Sequence, residues 1–373
     1  MKRALAWILV VIMALSLLAG CAKQEVQAPA ADSTPAADAA AEKPAESTSG
    51  TKKYRIALSN SYVGNDYRQE MEKIAEYIAA SDKYKDVVEL DIVNCDNSAE
   101  AQAASIDALI MEGYDAILVD AASATGINDA VERAAEAGIK VISFDQTVQS
   151  DKAVKLGLNF YDACKQTAEY VAAAINYKGK VVVDRGLAGA SKTSEMYQAA
   201  LDVFAQYPDI EIVAEFDGNF TYSDTLSAME SIIAAQPQID AVYTCGYADG
   251  AIDAFVDAGL KPVPTCGFYY NSSALAMLEH DVPALLILNP ASLSATAMQM
   301  ALDELNGVTT YQREELITPE YALYSNYPDI ADVGMPVEKL EEGVNCFKDM
   351  AGGFQLPVVD SSVGVEVPLE LFK

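Results

Sequence analysis

A glycine-rich stretch at residues 186–193, GLAGASKT, has the residue types of a phosphate-binding loop. Gly186 is followed after four residues by Ser191, Lys192 and Thr193, so a serine stands where the G-x-x-x-x-G-K-[ST] pattern has its second glycine. A β-branched run precedes the stretch and a helical pattern follows it, as such a loop requires. Nucleotide hydrolysis and a glycine-rich turn at a ligand site are both open on this evidence.

Other catalytic chemistry has little support. The single histidine, His280, lies late in a predicted helix, so a Ser-His-Asp or Cys-His nucleophile system and a histidine metal cluster are excluded. The chain also lacks a G-x-S-x-G elbow and a G-x-G-x-x-G stretch after its first predicted strand. Paired carboxylates stay open, although nothing singles out a pair. We therefore expect a protein that is not an enzyme and that uses no cofactor or metal.

The elements that must position any site alternate regularly from Tyr54 onward. Apolar runs of strand length, such as residues 54–59, 115–120, 140–145 and 180–184, are separated by segments with apolar residues at helical spacing. This alternation predicts βαβ units with right-handed crossovers and parallel sheets. About ten strands exceed one comfortable core, so we predict two doubly wound α/β lobes.

The residues that follow these strands are rich in Asn, Asp, Tyr and Ser. In open parallel sheets, ligands bind outside the carboxyl ends of the strands. Asn97-Ser98-Ala99-Glu100 resembles a capping box, and Gly113, Gly138 and Gly259 stand where helices are expected to end. The sequence therefore predicts a polar and aromatic site at the strand ends.

The N-terminus predicts export and a lipid anchor. Lys2 and Arg3 precede an apolar run to Leu18, and Leu18-Ala19-Gly20-Cys21 resembles a lipobox, which makes residues 1–21 a lipoprotein signal peptide with lipidated Cys21. The alternative is an ordinary signal peptide with a chance cysteine. Residues 22–52 are Ala-, Pro-, Glu-, Ser- and Thr-rich and lack aromatic residues, so we expect a disordered tether.

Composition limits the partners. The formal net charge is −30, and it becomes −32 when Lys2 and Arg3 leave with the signal peptide. This charge argues against nucleic acid and anionic surfaces as partners. Five cysteines remain after Cys21, and we expect buried free thiols, although Cys245 and Cys266 could be neighbours. The only tryptophan, Trp7, lies in the signal peptide, so any aromatic platform must use tyrosine or phenylalanine.

From residue 54 to about 307 the chain resembles the type I periplasmic sugar-binding proteins of the ribose/galactose group, the receptor subunits of ABC importers. The stretches that carry the resemblance are LSNSYVGNDYRQEM (58–71), AILVDAASATGINDAVERAAEAGIKVISFDQ (116–146), G-x-A-G (186–189), YPDIEIVAEFDGNFTYSDTLSAMESII (207–233) and IDAVYTCGYADGAIDAFVDAG (239–259). Each is weak alone, but their order and spacing agree.

The resemblance implies two lobes joined by three hinge crossings that close on a sugar. The N-terminal lobe would comprise residues 53–147 and 290–318, and the C-terminal lobe residues 148–289 and 319–373 with hinge and tail. Partners would be ABC permease subunits and a membrane reached through the lipid anchor. The protein would be an extracytoplasmic monomer that is lipid-anchored to the cell membrane.

Carried over by position, the resemblance implies aromatic contacts at Tyr67 and Phe220, with Tyr62, Asn65 and Tyr222 beside them. The hydrogen-bonding residue after the fourth strand falls on Asp145, with Gln146 where ribose binders often have arginine. Packing is the alternative for each aromatic residue, and a helix N-cap is the alternative for Asp145.

Three polar positions of the family depart from its pattern. The usual arginine falls on Ser194, an aspartate falls on Tyr269, and a late glutamine falls near Leu288 and Asn289. Arg185 could replace the missing guanidinium or could be solvated. Tyr247, Tyr269 and Tyr270 add phenol rings.

These departures leave open a sugar other than ribose, a sugar derivative or a nucleoside-like ligand. A ligand-sensing receptor for a membrane signalling partner is the alternative to an importer subunit. With this resemblance the phosphate-loop interpretation of residues 186–193 is disfavoured. Gly186 and Gly189 are then predicted to allow a tight turn at the rim of the cleft, with Lys192 solvated.

Overall fold

The computed structural model describes residues 53–188, 192–319 and 321–373. The predicted signal peptide, the lipidated Cys21, the tether and Gly189 lie outside these ranges, so the inferences on them stay predictions. The strands are β1 (Tyr54–Asn60), β2 (Val88–Asn94), β3 (Ala116–Asp120), β4 (Lys140–Phe144), β5 (Val154–Leu156), β6 (Gly179–Asp184), β7 (Ile210–Phe216), β8 (Ala241–Tyr243), β9 (Thr265–Phe268), β10 (Ala284–Ile287), β11 (Leu316–Ile317), β12 (Leu323–Ser325) and β13 (Val337–Lys339).

The helices alternate with the strands over most of the chain. They are α1 (Asp66–Ala80), α2 (Ala99–Glu112), α3 (Asn128–Glu136), α4 (Phe160–Ala174), α5 (Thr193–Phe204), α6 (Tyr222–Ala235), α7 (Ala248–Asp257), α8 (Asn271–Glu279) and α9 (Leu293–Leu305). A 3₁₀ turn, Leu369–Phe372, lies close to the C-terminus. Among the described residues, no helix combines the length and the apolar character that a bilayer crossing requires.

The strands form two sheets, which confirms the predicted two-lobed α/β fold. The first sheet has the order β11-β5-β4-β3-β1-β2, and its pairings are all parallel. The second has the order β13-β12-β10-β9-β8-β6-β7, in which only the β10–β12 pair is antiparallel. The central strands are buried on both faces, as their continuous Val, Ile and Leu runs predicted.

Local signals fix the ends of α2, although its N-cap lies one residue later than the capping box Asn97–Glu100 predicts. Ser98 is the N-cap of α2, and its hydroxyl accepts a hydrogen bond from the amide of Ala101. Gly113 ends the same helix with φ of 72°, a conformation that glycine adopts without a Cβ clash.

The chain passes between the sheets after β5, after β10 and between β11 and β12. The predicted lobe division differs from this in two places. Strand β5 was assigned to the second lobe, but it pairs with β4 and extends the edge of the first sheet. The tail was also assigned to the second lobe, but Phe354 and Val363 pack in the apolar core of the first lobe with Ile56 and Met71. Residues 148–156 and much of the tail therefore lie with the first lobe.

Candidate ligand-binding site

A cavity of about 320 Å³ lies between the two lobes. Its lining comes from the loops that follow the carboxyl ends of strands in both sheets, including Ser61 after β1, Asp145 after β4, Phe220 after β7 and Asn289 after β10. Parallel strands bring these ends to one edge of each sheet, so residues distant in the chain share one site. The volume is at the lower end of the range for small-molecule sites, about 300–1,000 Å³.

Six aromatic side chains line the cavity. The first lobe contributes two rings and the second lobe four: Tyr62, Tyr67, Phe160, Phe220, Phe268 and Tyr270. Phe160 and Phe268 meet edge to face with ring centroids 5.8 Å apart. Burial raises the pKa of the Tyr67 phenol well above its usual value, so this hydroxyl stays protonated at neutral pH. The walls therefore offer flat apolar faces with a few hydroxyl groups.

Arg68 lines the cavity in the first lobe and forms an ion pair behind it. Arg68 lies 2.7 Å from the carboxylate of Asp120, and both side chains are buried. The guanidinium also donates a 2.6 Å hydrogen bond to the side-chain oxygen of Asn60 and lies 5.2 Å from the ring centre of Tyr62. Burial raises the pKa of Asp120, and the positive charge of Arg68 opposes this shift. The pair thus holds a cation and an aromatic ring rigidly at one side of the cavity.

Asp145 and Asn289 join the lobes inside the cavity. The Asn289 amide nitrogen donates a 2.9 Å hydrogen bond to the Asp145 carboxylate. Asp145 has φ of 52°, and Asn97 and Phe220, which also line the cavity, have φ of 64° and 52°. Residues other than glycine rarely adopt this region, and such conformations cluster at functional sites.

Several polar atoms of the lining residues are buried without a hydrogen-bond partner in the described part of the chain. They are the hydroxyl oxygens of Ser61 and Tyr67 and the amide oxygens of Asn289 and Gln355. A buried polar atom that stays unpaired costs about 1–3 kcal/mol. A ligand with several hydroxyl groups would remove this cost by pairing with them.

Asp184, at the end of β6, organises the loops of the second lobe. Its carboxylate accepts hydrogen bonds from the backbone amides of Gly186, Gly218 and Cys245, at 2.8, 2.8 and 3.0 Å. Burial raises the pKa of Asp184, and the three amides oppose that shift. This carboxylate thereby ties the loops after β6, β7 and β8 together beneath the cavity.

Three described residues of the GLAGASKT stretch reach the cavity. Leu187, Ala188 and Lys192 line it, and Gly186 has φ of 76°. The prediction that Lys192 is solvated is wrong, because its side chain is buried and its ammonium lies 5.8 Å from the ring centre of Phe160. Lys192 therefore brings a positive charge to the ligand side of the second lobe.

Seven of the predicted contact residues are brought together in the cavity lining. They are Tyr62, Asn65, Tyr67, Asp145, Gln146, Phe220 and Asn289. Asn65 also caps α1, because its side chain accepts a hydrogen bond from the Arg68 amide and donates one to the Tyr62 hydroxyl, both at 3.0 Å. It thereby fixes the position of Tyr62.

Three predicted residues lie outside the cavity lining, at the surface of the second lobe. Arg185 makes a bidentate ion pair with Asp217 at 2.9 Å, so it does not replace the missing guanidinium. Ser194 is exposed in the first turn of α5. Tyr222 is exposed, and its hydroxyl donates to Asp253 of α7.

Two further predicted residues lie behind the lining. Tyr247 stacks on Tyr270 with ring centroids 4.0 Å apart, and its hydroxyl donates a 3.0 Å hydrogen bond to Asp66 of the other lobe. Tyr269 follows β9 on the opposite face from Phe268 and Tyr270, as the alternation of a strand requires. It packs on Tyr324 and donates to the backbone oxygen of Asn345. Tyr247 thus supports the lining, and Tyr269 faces away from it.

Sequence reasoning missed several lining residues. Arg68 follows Tyr67 directly, so its place in the first turn of α1 was a readable signal. Phe160 opens α4 and Phe268 ends β9, which are positions that face the cleft in this architecture. Gln355 comes from the tail and had no local signal, because only the tertiary fold brings it to the cavity.

The described residues contain no group of three or more His, Cys, Asp or Glu side chains that could hold a metal ion. Cys245 and Cys266 are both buried and free, and their sulfur atoms lie near the backbone oxygens of Asp184 and Thr244. Burial raises the pKa of both thiols, which keeps them protonated. Both thiols therefore belong to the apolar core of the second lobe.

Comparison with known proteins identifies the family. Residues 56–309 match the model of the periplasmic binding protein domain. Because this match spans more than half of the chain, the chain belongs to that family. Its members are binding proteins and not enzymes, and the family assignment implies an extracytoplasmic location.

Individual relatives agree with this assignment. The chain is 27% identical over 266 residues to the ribose import binding protein of Bacillus subtilis. This alignment covers 70% of this chain and 85% of the relative. It is 28% identical over 200 residues to the xylitol-binding protein of Mycolicibacterium smegmatis, over 52% of this chain and 57% of the relative. A solved ABC transporter solute binding protein from Thermobispora bispora is 28% identical with a TM-score of 0.67, over 73% of this chain and 85% of that one.

Proposed function

We propose that this member of the periplasmic binding protein domain family is the solute-binding lipoprotein of an ABC importer and captures a neutral sugar or sugar-like molecule between its lobes. Similar proteins are named for ribose import, for xylitol binding and for D-apiose import. All three named ligands are small molecules that carry several hydroxyl groups.

The observation that supports a polyhydroxylated ligand is the combination of aromatic walls with unpaired polar atoms. Sugar rings have apolar faces that stack on aromatic side chains, and their hydroxyls both donate and accept hydrogen bonds. The unpaired amide oxygens of Asn289 and Gln355 need donors, which hydroxyl groups supply. The volume of about 320 Å³ favours a single sugar unit over an oligosaccharide.

Closure of the lobes on the ligand is the expected mode of capture. The contacts between Asn289 and Asp145 and between Tyr247 and Asp66 join residues of opposite lobes. A ligand that contacts both lobes stabilises the joined arrangement over a separated one, and its differential affinity for the two states drives the change. The protein would then be a monomer that presents its closed form to the permease.

Isothermal titration calorimetry tests the ligand class. The purified protein is titrated with D-ribose, xylitol, D-apiose, myo-inositol and uridine. We expect one of the four non-aromatic polyols to bind with a Kd in the micromolar range or below. Binding of uridine alone would favour the nucleoside-like alternative, and no binding to any of the five would remove the sugar proposal.

The lipoprotein part of the proposal is tested separately. Cells that express the chain are labelled with a radioactive fatty acid, and the Cys21→Ser variant is compared with the unchanged protein. We expect label only in the protein that keeps Cys21. Equal labelling of both would exclude Cys21 as the lipid attachment site.

A further inference from the structure

The C-terminal segment, defined as residues 347–373, lies beyond the part of the chain that matches the family model. Its first residues are hydrogen-bonded to the second lobe, while Phe347 and Met350 pack against the core of the first lobe. The side chain of Asn271, at the start of α8, donates a 2.7 Å hydrogen bond to the backbone oxygen of Phe347 and accepts one of 2.7 Å from its amide. The backbone amides of Asn271 and Ser272 donate to the oxygens of Phe354 and Gly352.

The segment then passes between the two lobes through a tight space. A Cβ atom on Gly352 would lie 3.3 Å from Ser272 of the second lobe. A Cβ atom on Gly353 would lie 2.0 Å from the side chain of Asp66, in the first turn of α1 of the first lobe. These distances show that the backbone is held between α8 and α1, and that Gly353 fits only because it lacks a side chain.

The segment ends anchored on the first lobe. Phe354 and Val363 are fully or almost fully buried in the core cluster that contains Ile56 and Met71. The hydroxyl of Tyr84 and the ammonium of Lys83 donate hydrogen bonds of 2.9 and 2.6 Å to the backbone oxygen of Val363. With hydrogen bonds to the second lobe and its apolar side chains in the first, the segment connects the lobes in addition to the three crossings already described.

At the point of crossing, Gln355 enters the site. Its backbone amide donates to the Glu70 carboxylate at 3.0 Å, and its side chain lines the cavity with 2% of the residue exposed. Its amide oxygen has no hydrogen-bond partner among the described residues. A glutamine that served only to fold the segment would be expected to pair its buried oxygen within the protein.

We propose that the C-terminal segment is a fourth crossing between the lobes, and that it completes the ligand site with Gln355, whose amide oxygen selects for a hydroxyl donor on the ligand. The selection rests on the proposed function, since it presumes a hydroxylated ligand in the cavity. The crossing itself stands on protein contacts alone. Ligands that lack a hydroxyl at this position would leave the Gln355 oxygen unpaired and would bind more weakly.

Hydrogen exchange tests the crossing without any ligand. Gly353→Val forces the side chain into Asp66, whereas Ala351→Val places the same side chain at an exposed position of the same segment. We expect faster exchange of the amides of Asn271 and Ser272, and of the segment after Gly353, only in Gly353→Val. Equal exchange in both variants and the unchanged protein would overturn the fourth crossing.

Urea unfolding and calorimetry together test Gln355. In the absence of ligand, Gln355→Leu removes an unpaired buried oxygen, so we expect unfolding at the same or a higher urea concentration. A clear fall would mean that the side chain serves folding, and would overturn its assignment to the ligand. The matched control is Glu366→Gln, at an exposed position of the same segment.

The calorimetric titration uses whichever of D-ribose, xylitol, D-apiose and myo-inositol the unchanged protein binds. Loss of one hydrogen bond to a buried group predicts a Kd about 5- to 100-fold higher for Gln355→Leu and an unchanged Kd for Glu366→Gln. A Gln355→Leu Kd within twofold of the unchanged protein would overturn the selection. If the unchanged protein binds none of the four, the proposed function fails, while the exchange and unfolding experiments still decide the crossing and the role of Gln355.

Discussion

Arg68 and Asp120 form an ion pair in which both side chains are buried, and the substitution Arg68→Met would leave the carboxylate without a counter-charge. The separation is 2.7 Å, and the two side chains are 5% and 0% exposed. Methionine has a similar length and is apolar, so the change removes the charge with little loss of packing volume.

Removal of one partner from a buried ion pair typically costs about 3–5 kcal/mol. We expect a decrease of this size in the free energy of unfolding of Arg68→Met, measured by urea denaturation at pH 8. Without Arg68, burial and the negative charge of Asp145 raise the pKa of the Asp120 carboxyl above the unfolded value of about 3.9, opposed only by the hydrogen bond from the Gln146 amide. The folded state then holds the proton more tightly than the unfolded state, so stability falls as the pH rises through the folded pKa. The destabilisation should therefore be smaller at pH 5 than at pH 8.

Two variants make this prediction sharp. Arg133→Met breaks an ion pair with Asp107 in which the two side chains are 50% and 42% exposed. This change should lower the unfolding free energy by no more than about 1 kcal/mol. The double variant Arg68→Met with Asp120→Leu removes both buried charges and should recover much of the lost stability. If Arg68→Met lowers the unfolding free energy by less than about 1 kcal/mol, and equally at both pH values, the claim is refuted that its loss leaves Asp120 as an uncompensated buried charge.

Three further outcomes are expected. Burial raises the pKa of Glu70 from 4.5 to about 8, so the stability of the unchanged protein should fall as the pH rises between these values. The urea midpoints of Glu70→Gln at pH 6 and pH 9 should differ less than those of the unchanged protein. Tyr247→Phe keeps the ring stack but loses the hydrogen bond to Asp66, and should lower the unfolding free energy by about 1 kcal/mol, whereas Tyr222→Phe at the exposed surface should lower it less. Arg185→Ala should leave the Kd for a bound polyol within twofold by calorimetry, because this residue pairs outside the cavity.

The sheets and their polar ends could be predicted because each buried parallel strand is a continuous apolar run in the sequence, followed by polar residues. The run at β3, for example, is continuous in apolar residues and ends in Asp120, and Ser98 and Gly113 mark the two ends of α2. The resemblance to binding proteins then assigned Tyr67, Asp145 and Phe220 to the cavity, and they line it.

The direction of individual side chains could not be predicted in the same way. Phe220 and Tyr222 are two residues apart, but Phe220 has φ of 52° and Tyr222 already belongs to α6, so only the former lines the cavity. Tyr269 and Tyr270 were both counted as added rings, yet consecutive residues of an extended chain point to opposite sides. These outcomes depend on backbone angles that residue types alone do not fix.

Contacts between residues far apart in the chain could not be predicted from the sequence either. Gln355 meets Glu70 across 285 positions, and the apolar residues of the tail gave no sign of which lobe would cover them. Lys192 was expected in solvent, but its side chain is buried and its ammonium lies near the ring of Phe160.

Native mass spectrometry of the folded protein tests the central claim most directly. The protein is incubated with an equimolar mixture of D-ribose, xylitol, D-apiose, myo-inositol and uridine, and Phe220→Ala is treated in parallel as a variant that loses one wall of the cavity. The expected result is a single 1:1 adduct with the mass of a neutral polyol, which Phe220→Ala weakens or abolishes. An unchanged adduct in Phe220→Ala, an adduct with uridine alone, or no adduct at all would contradict a sugar site in this cavity.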